Sequence, residues 1–556
     1  MVKTKYNYKT DSPKKQRTLS FYLSLILLVL GTSCTTPVRK EKTNAQLSLI
    51  PQPTEIRVFE GHFLLSAETT LIFSTDDQRK MGDLFNQRLE ALLGWKCTTG
   101  KADDVKNTII LSQVDSLAHE AYILDIDQEQ ISITAASEAG YFYALQTLLQ
   151  LVPVETEKSK SSELKLPQLT IHDEPRFQWR GALLDISRHF FGPEAIKKLI
   201  DQMAATKMNR LHLHLTDDPG WRIEIKEYPK LHEIGALGDR TNPDGAAQYL
   251  TEEEAREIAR YANERQIMII PEVDVPGHSG AIARAYPEFS GGNNTLNIAN
   301  DEALKMIETA ILRVADLFNA PYVHFGADEV RHHNWEARPD MKAKMDELNL
   351  KNQLEFEGWF DRKMADFLVQ SGLTPIAWDE AAGFEINKKT VLQWWRGEYP
   401  DVLQDAIKNG YHVILSPVDY LYLDYPSDLT EAGANWEGLH NGANSLEAIY
   451  TWNPIPENFN ASMTNQVKGI EAGIWTEFIT NEKRLEYIMY PRLAGVAEKA
   501  WSTEENIQWK NFQTRLTEHY KRYERDGINY RIPELPLEER KARQPEAFEG
   551  PIATEQ

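Results

Sequence analysis

Between Arg176 and Trp501 short apolar runs alternate with stretches whose apolar positions recur every three or four residues. Eight runs have strand length: GALLDIS (181–187), RLHLHLT (210–216), IMIIPEV (267–273), YVHFGA (322–327), TPIAW (374–378), TVLQWW (390–395), HVILS (412–416) and IEAGIW (470–475). Their high apolar content fits strands covered on both faces, as in a parallel sheet. The segments between the earlier ones, such as PEAIKKLIDQMAATK, TEEEAREIARYANERQ and DEALKMIETAILRVADLF, predict amphipathic helices. Strand and helix in alternation predict an α/β fold, a (β/α)8 TIM barrel over 173–501. In such a barrel the chemistry gathers just past the C-terminal ends of the strands.

Ahead of the barrel, 46–172 mixes β-rich and helical runs, which predicts a smaller α+β domain. YILDIDQEQISITAAS reads as a hairpin and AGYFYALQTLLQLV as an amphipathic helix. Beyond Trp501, ENIQWKNFQTRLTEHYKRYERDG predicts a helix packed on the barrel. The charged, proline-containing end from about Ile532 is expected to be loosely ordered, so 502–556 reads as a C-terminal helix and tail.

The N-terminus has a different pattern: a basic stretch with Lys14, Lys15 and Arg17, the apolar FYLSLILLVL from Phe21 to Leu30, then small residues before Cys34. That run is half the roughly 20 residues needed to cross a bilayer, so 1–33 reads as an export signal. LGTSC resembles a lipoprotein cleavage site, with Gly31 where that pattern usually has Leu, and makes Cys34 the expected lipidation site; an ordinary signal peptide is the alternative. Residues 34–45 are polar and suit a tether. The other cysteine is Cys97, so acylation of Cys34 leaves no intrachain disulfide.

Removing 1–33 takes away six basic residues and Asp11, moving the formal charge from −22 to −27. Such an acidic body repels nucleic acid and anionic headgroups, which leaves a neutral or cationic partner as the easier one. Membrane contact is expected only through the N-terminal anchor, which places the protein in a cell envelope.

The strand ends then supply the chemistry. Arg188 follows strand 1, Asp217 and Asp218 strand 2, Asp274 and His278 strand 3, and Asp328 and Glu329 strand 4. Trp378, Asp379 and Glu380 follow at strand 5, with Trp394, Trp395 and Arg396 at strand 6. Tyr422 and Asp424 come after strand 7, Trp475 and Glu477 after strand 8. Tryptophans beside carboxylates and an arginine suit a sugar, whose C–H faces stack on rings while its hydroxyls take charged partners. Spacings of two, in Tyr422/Asp424 and Trp475/Glu477, turn both members to one side of an extended chain. Arg180 precedes strand 1 and is expected to be structural. His212 and His214 imitate a metal-binding His-x-His, but they lie inside strand 2 rather than past its end.

These motifs, LDISRHF, HLHLTDDPGWR, PEVDVPGH, HFGADEV, WDE, WWRG, YLD and WTE, resemble in order those of the glycoside hydrolase family 20 β-N-acetylhexosaminidases. The resemblance covers about 46–500 and includes GYFYALQTLLQ in the first domain. It implies an exo-acting enzyme that removes terminal N-acetylglucosamine or N-acetylgalactosamine with retention, the 2-acetamido group serving as nucleophile through an oxazolinium intermediate; the family is a recognised exception to the two-carboxylate scheme. By the same resemblance, Glu329 matches the general acid/base, Asp328 the residue holding the acetamido group, and Tyr422 the hydroxyl on its carbonyl oxygen. Trp378, Trp395 and Trp475 match the pocket walls, Arg188, Asp424 and Glu477 the hydroxyl-binding groups, and Asp217, Asp274 and His278 the supporting network.

Two departures stand out. Ala327 replaces the family's second glycine before the acids, an extra methyl expected to be tolerated, and Trp394 rivals Trp395 for the wall. Adjacent acids in extended chain point apart, which would let Glu329 face the leaving group and Asp328 the acetamido arm. No cofactor and no metal are expected. The other readings are a noncatalytic, lipid-anchored glycan-binding protein and a metal-dependent barrel hydrolase.

Overall fold

The computed structural model describes residues 39–43, 46–100, 106–154, 162–431, 433–434 and 443–549, so Cys34 and the signal segment lie outside the described residues. The first domain is a seven-stranded mixed sheet: β1 (Glu55–Ser66), β2 (Thr70–Ile72), β3 (Thr98–Thr99), β4 (Thr108–Gln113), β5 (Tyr122–Ile126), β6 (Gln130–Ala135) and β7 (Glu163–Asp173), in the order β1-β7-β5-β6-β4-β2-β3. The expected hairpin is the antiparallel pair β5/β6, in register from Tyr122↔Ala135 to Ile126↔Ile131. The expected helix spans Glu138–Gln150, and Ser137 caps it by accepting from the Gly140 amide.

Eight parallel strands close the barrel: β8 (Trp179–Asp185), β9 (Arg210–His214), β10 (Met268–Val275), then, after a short hairpin of β11 (Ser290–Gly292) and β12 (Thr295–Leu296), β13 (Tyr322–Gly326), β14 (Thr374–Trp378), β15 (Val391–Trp394), β16 (His412–Leu415) and β17 (Val467–Ile474). All eight expected strands are present, in sequence order round the barrel. The helical layer is less regular than the alternation implies. Helices 192–205, 252–263, 301–318, 353–370 and 400–408 cover the outside, but only a 3-10 turn, Asp379–Phe384, separates β14 from β15.

Buried ion pairs join the two domains at the N-terminal end of the barrel. Arg180 donates to Glu120 from both terminal nitrogens, at 2.9 and 2.8 Å, and from Nε to the Lys207 carbonyl at 2.8 Å, the structural role expected of its position. Asp173, closing β7, accepts from Lys207 Nζ at 2.8 Å and Trp501 Nε1 at 2.9 Å.

The C-terminal helix spans Trp509–Arg525 and buries Phe512, Leu516 and Tyr523. The stretch beyond Ile532 is not the loose tail its composition suggests. Residues 537–543 form a helix and 545–548 a 3-10 turn. Buried Arg540 reaches Glu431 at 2.9 Å and Asp428 at 3.1 Å, and Arg531 reaches Glu431 at 2.8 Å, so the tail's charges are matched by acids of the barrel loops. Among the described residues no helix is long and apolar enough to cross a membrane.

Candidate active site

A cavity of about 430 Å³ opens at the C-terminal end of the strands. It gathers Arg188, Asp217, Asp274, His278, Asp328, Glu329, Trp378, Trp395, Tyr422, Trp475 and Glu477 from the C-terminal ends of all eight strands and the loops after them. Asp424 does not line it. That residue is buried behind the wall, where burial first, and then nearby Glu477, pushes its carboxyl well up. Of the rival tryptophans, Trp395 lines the cavity, whereas the Trp394 ring joins the outer core. A larger recess, about 1320 Å³, lies at the opposite end beside Glu120 of the first domain, Asn209 just before β9 and Arg210 at its start.

The strand-4 end is shaped by its backbone. Gly326, Ala327 and Glu329 all have positive φ, at 74°, 72° and 45°, so the two acids diverge through a left-handed turn and not through the pleat of an extended chain. At the two non-glycine positions, Ala327 and Glu329, this conformation costs about 1–3 kcal/mol each, a strain that collects at functional sites. Gly326 is forced, because a Cβ there would lie 1.7 Å from Asp274 Oδ1. Ala327 is fully buried, so its methyl is packed but held in a conformation that favours glycine.

The turn gives the two acids different surroundings. The Glu329 side chain is 48% exposed, that of Asp328 only 13%. His278 Nε2 lies 3.5 Å from Glu329 Oε2 and 3.7 Å from Asp328 Oδ2, while its Nδ1 is 3.2 Å from Asp217 Oδ2. Burial, the largest single influence, would discharge His278, but Asp217, Asp274 and Asp328 together outweigh it, and the imidazole stays charged. That cation holds Glu329 below the usual carboxylate range. Burial raises Asp328 to about 6 against the same cation. Asp217 is held well below its ordinary value, since Arg188 at 2.6 Å and His278 overcome its burial.

Arg188 links these groups to the far wall, 3.4 Å from Glu477 Oε1 and over the Trp475 ring at 5.1 Å. The Tyr422 ring stacks on Trp395 with centroids 6.2 Å apart and planes 14° apart. Its hydroxyl is pushed well up by burial and then by Asp424, so it stays a donor. Trp378 is fixed by Nε1 donating to Glu272 Oε1 at 3.0 Å, and Trp395 by Nε1 donating to Glu380 Oε2 at 3.2 Å. The arrangement can enclose one sugar ring between aromatic faces, with a half-exposed acid at its edge.

Two family descriptions divide the chain between them: "Glycosyl hydrolase family 20, domain 2" matches 46–174 and "Glycosyl hydrolase family 20, catalytic domain" matches 177–504. The chain belongs to glycosyl hydrolase family 20. It is a glycoside hydrolase. A β-hexosaminidase of Porphyromonas gingivalis is 34% identical over 509 residues, which is 88% of this chain and 64% of that protein, so the chain spans under two thirds of that relative's length. A β-N-acetylhexosaminidase of Cellulomonas fimi is 30% identical, covering 87% of this chain and 96% of its own. The crystal structure of an exo β-N-acetylglucosaminidase from Vibrio harveyi in complex with N-acetylglucosamine superposes with a TM-score of 0.81 at 30% identity, over 90% of this chain and 81% of that one.

The family 20 cavity also rests on residues that sequence reasoning passed over. Glu272, inside β10, meets His324 Nδ1 at 2.9 Å, His212 Nε2 at 3.1 Å and His214 Nδ1. His212 Nδ1 reaches Glu471 Oε1 at 2.9 Å, and His214 Nε2 reaches Asp217 Oδ2 at 3.1 Å. The histidines that imitated a metal motif therefore form a hydrogen-bonded column beneath the pocket floor. Alternation was the available signal: a carboxylate on the inward face of a barrel strand must be paired there. Arg240 and Arg331, also on the cavity wall, sit in loops that carry no such signal.

Proposed function

We propose that this family 20 chain is an exo-β-N-acetylhexosaminidase that removes a terminal 2-acetamido sugar with retained configuration. One observation carries the reading: adjacent acids, turned apart by a left-handed backbone, place one carboxyl in the aromatic box and the other at its edge. In the first step the 2-acetamido carbonyl oxygen attacks C1, Glu329 gives its proton to the glycosidic oxygen, and the aglycone leaves as an alcohol. Ionised Asp328 faces the acetamido nitrogen and stabilises the positive charge that develops on the oxazolinium ring. The Tyr422 hydroxyl donates to the carbonyl oxygen and fixes its line of attack. In the second step Glu329 takes a proton from water as the water oxygen attacks C1, which opens the ring with retention.

The productive state needs the proton on Glu329 and the charge on Asp328, whereas in the free site the Asp328 carboxyl, raised to about 6, takes a proton more readily than Glu329 does. Substrate exchanges them: the acetamido N–H donates to Asp328 and favours its anion, and the aglycone strips water from Glu329 and favours its neutral form. Wall roles go to Trp378, Trp395 and Trp475, and hydroxyl binding to Arg188 and Glu477, with Asp424 behind them. Asp217, Asp274 and His278 support the acids.

Turnover of a chromogenic N-acetyl-β-glucosaminide by the wild type, Glu329→Gln and Asp328→Asn, each with and without chelator, tests the reading. Both variants should lose at least about a hundredfold, the lower end of what a positioned acid or base contributes, with no chelator effect. Unimpaired turnover by Glu329→Gln removes the mechanism, chelator sensitivity favours a metal-dependent hydrolase, and an inert wild type favours a binding protein. The basic and apolar N-terminus ending in LGTSC supports export and acylation of Cys34, hence a bacterial envelope lipoprotein facing the periplasm or the exterior. Labelled palmitate incorporated by the wild type and not by Cys34→Ser is the expected result.

A further inference from the structure

Two arginines line the cavity without an ion-paired acid. Arg240, in the long loop after β9, and Arg331, two residues past Glu329, are exposed on its wall. Among the described residues neither guanidinium has a carboxylate within ion-pairing distance. Their neighbours at this end of the barrel are matched: Arg188 touches Asp185, Asp217 and Glu477, and Arg396 sits 3.2 Å from Asp379. In a chain of formal charge −22, two cations without ion-pair partners in the lining of one cavity create a local positive field that favours an anion. Another rim acid, Asp218, is occupied, accepting from the Gly280 amide at 2.9 Å and from Asn294 Nδ2 at 2.8 Å.

Position says which part of the substrate meets that field. The aromatic box encloses the sugar that is cut off, and Glu329 must face the glycosidic oxygen, so a side chain just beyond Glu329 on the wall faces the aglycone. Arg331 is close enough to Glu329 for its charge to lower that carboxyl. Guanidinium forks match carboxylate and sulfate oxygens in pairs.

We propose that Arg240 and Arg331 form an anion-recognising aglycone subsite, so that the preferred substrates join the terminal N-acetylhexosamine to an acidic sugar. This deepens the hexosaminidase reading above and rests on it. The shared chemistry is an anionic oxygen group on the ring next to the scissile bond, and three sources supply it: a uronate, the lactyl ether of a muramate, or a sulfate ester.

The test compares N-acetylglucosamine β-linked to glucuronate, to N-acetylmuramate, to sulfated N-acetylglucosamine and to plain N-acetylglucosamine, at low and high salt. The measured quantity is the ratio of kcat/KM for each acidic substrate to that for the neutral one. At least one ratio should exceed unity in the wild type, fall about tenfold in the Arg240→Gln/Arg331→Gln double variant, as two exposed ion pairs allow, recover in part with lysines, and lose its salt dependence in the double variant. The source with the largest drop identifies the natural anion. The same ratio in Kd, measured by calorimetry in a Glu329→Gln background, reads the subsite independently of turnover. A wild type inert on every glycoside that still binds acidic disaccharides preferentially refutes the hexosaminidase reading and not the subsite. Ratios equal in the wild type and the double variant, by both measurements, overturn the proposal.

Discussion

Replacing His278 by Asn should move the whole pH profile of the enzyme, not merely lower it. His278 is a cation between two acids, 3.5 Å from Glu329 Oε2 and 3.7 Å from Asp328 Oδ2. A unit charge at 3.5 Å is worth about 1 kcal/mol at the screening of water and about 5 kcal/mol at an effective dielectric of 20. Glu329 is half exposed, so the lower figure applies, and about 1 kcal/mol corresponds to a little under one pKa unit. Losing the cation raises Glu329 by that amount. Because the free site holds a proton on Asp328 in preference to Glu329, the acid limb of kcat/KM follows Glu329 and the alkaline limb follows Asp328. The acid limb should shift upward by about one unit, and the alkaline limb, set by Asp328 at about 6 despite the same cation, moves upward with it.

The assay is kcat/KM for a neutral chromogenic N-acetyl-β-glucosaminide across the full pH range in which the fold survives. A lower plateau accompanies the shift, since Asp217 no longer orients a group on Glu329. A bell of reduced height with both limbs unmoved would make His278 a packing residue and break the link from Asp217 to the acid. A downward shift would refute the cationic action of His278 on the two acids.

Three further changes test the frame of the site. Gly326→Ala sets a methyl against Asp274 at a φ of 74° and should cost about 2–4 kcal/mol with loss of turnover, measured by urea denaturation and activity. Arg515→Met leaves the Glu498 carboxylate buried and unpaired and removes a donor 2.6 Å from the Leu49 carbonyl; a loss of about 3–5 kcal/mol is expected, and Glu498→Met added to it should recover part. Asp217 has a carboxyl below its unfolded value, so its contribution to stability is complete above an unfolded value of about 3.9 and fades as pH falls through the lower folded value; Asp217→Asn should flatten the acid arm of a stability–pH curve.

What could be read from sequence, and what could not, divides along the physics of the backbone. The eight strands were legible because a strand covered on both faces is a nearly unbroken apolar run, and the barrel rule then sorted Arg180 from Arg188 by which end of a strand each occupies. The tail was misread because composition registers charge and not partners: Arg540 looks solvent-bound until Asp428 and Glu431, more than a hundred residues earlier, are brought against it. The interior column was half legible, since HLHL alternates, yet only the closed barrel shows that His212, His214 and His324 share one carboxylate on Glu272.

The turn at 326–329 was hidden for a deeper reason. Glycine permits positive φ, but nothing in Ala327 or Glu329 announces it, and both pay for a conformation that only the surrounding packing imposes. An extended chain would also have pointed the two acids apart, but to opposite faces of the strand, one of which is filled by the helical layer. A left-handed turn past the strand end lets both reach the same cavity at different depths: Asp328 within the box, where burial lifts its carboxyl, and Glu329 at the rim, where His278 and solvent hold it down. In the proposed mechanism that difference in depth lets a bound sugar act on the two neighbouring carboxyls separately. The strain at Ala327 and Glu329 is thus tied to the chemistry, and relieving it by straightening the chain would leave two acids with one environment and no division of labour.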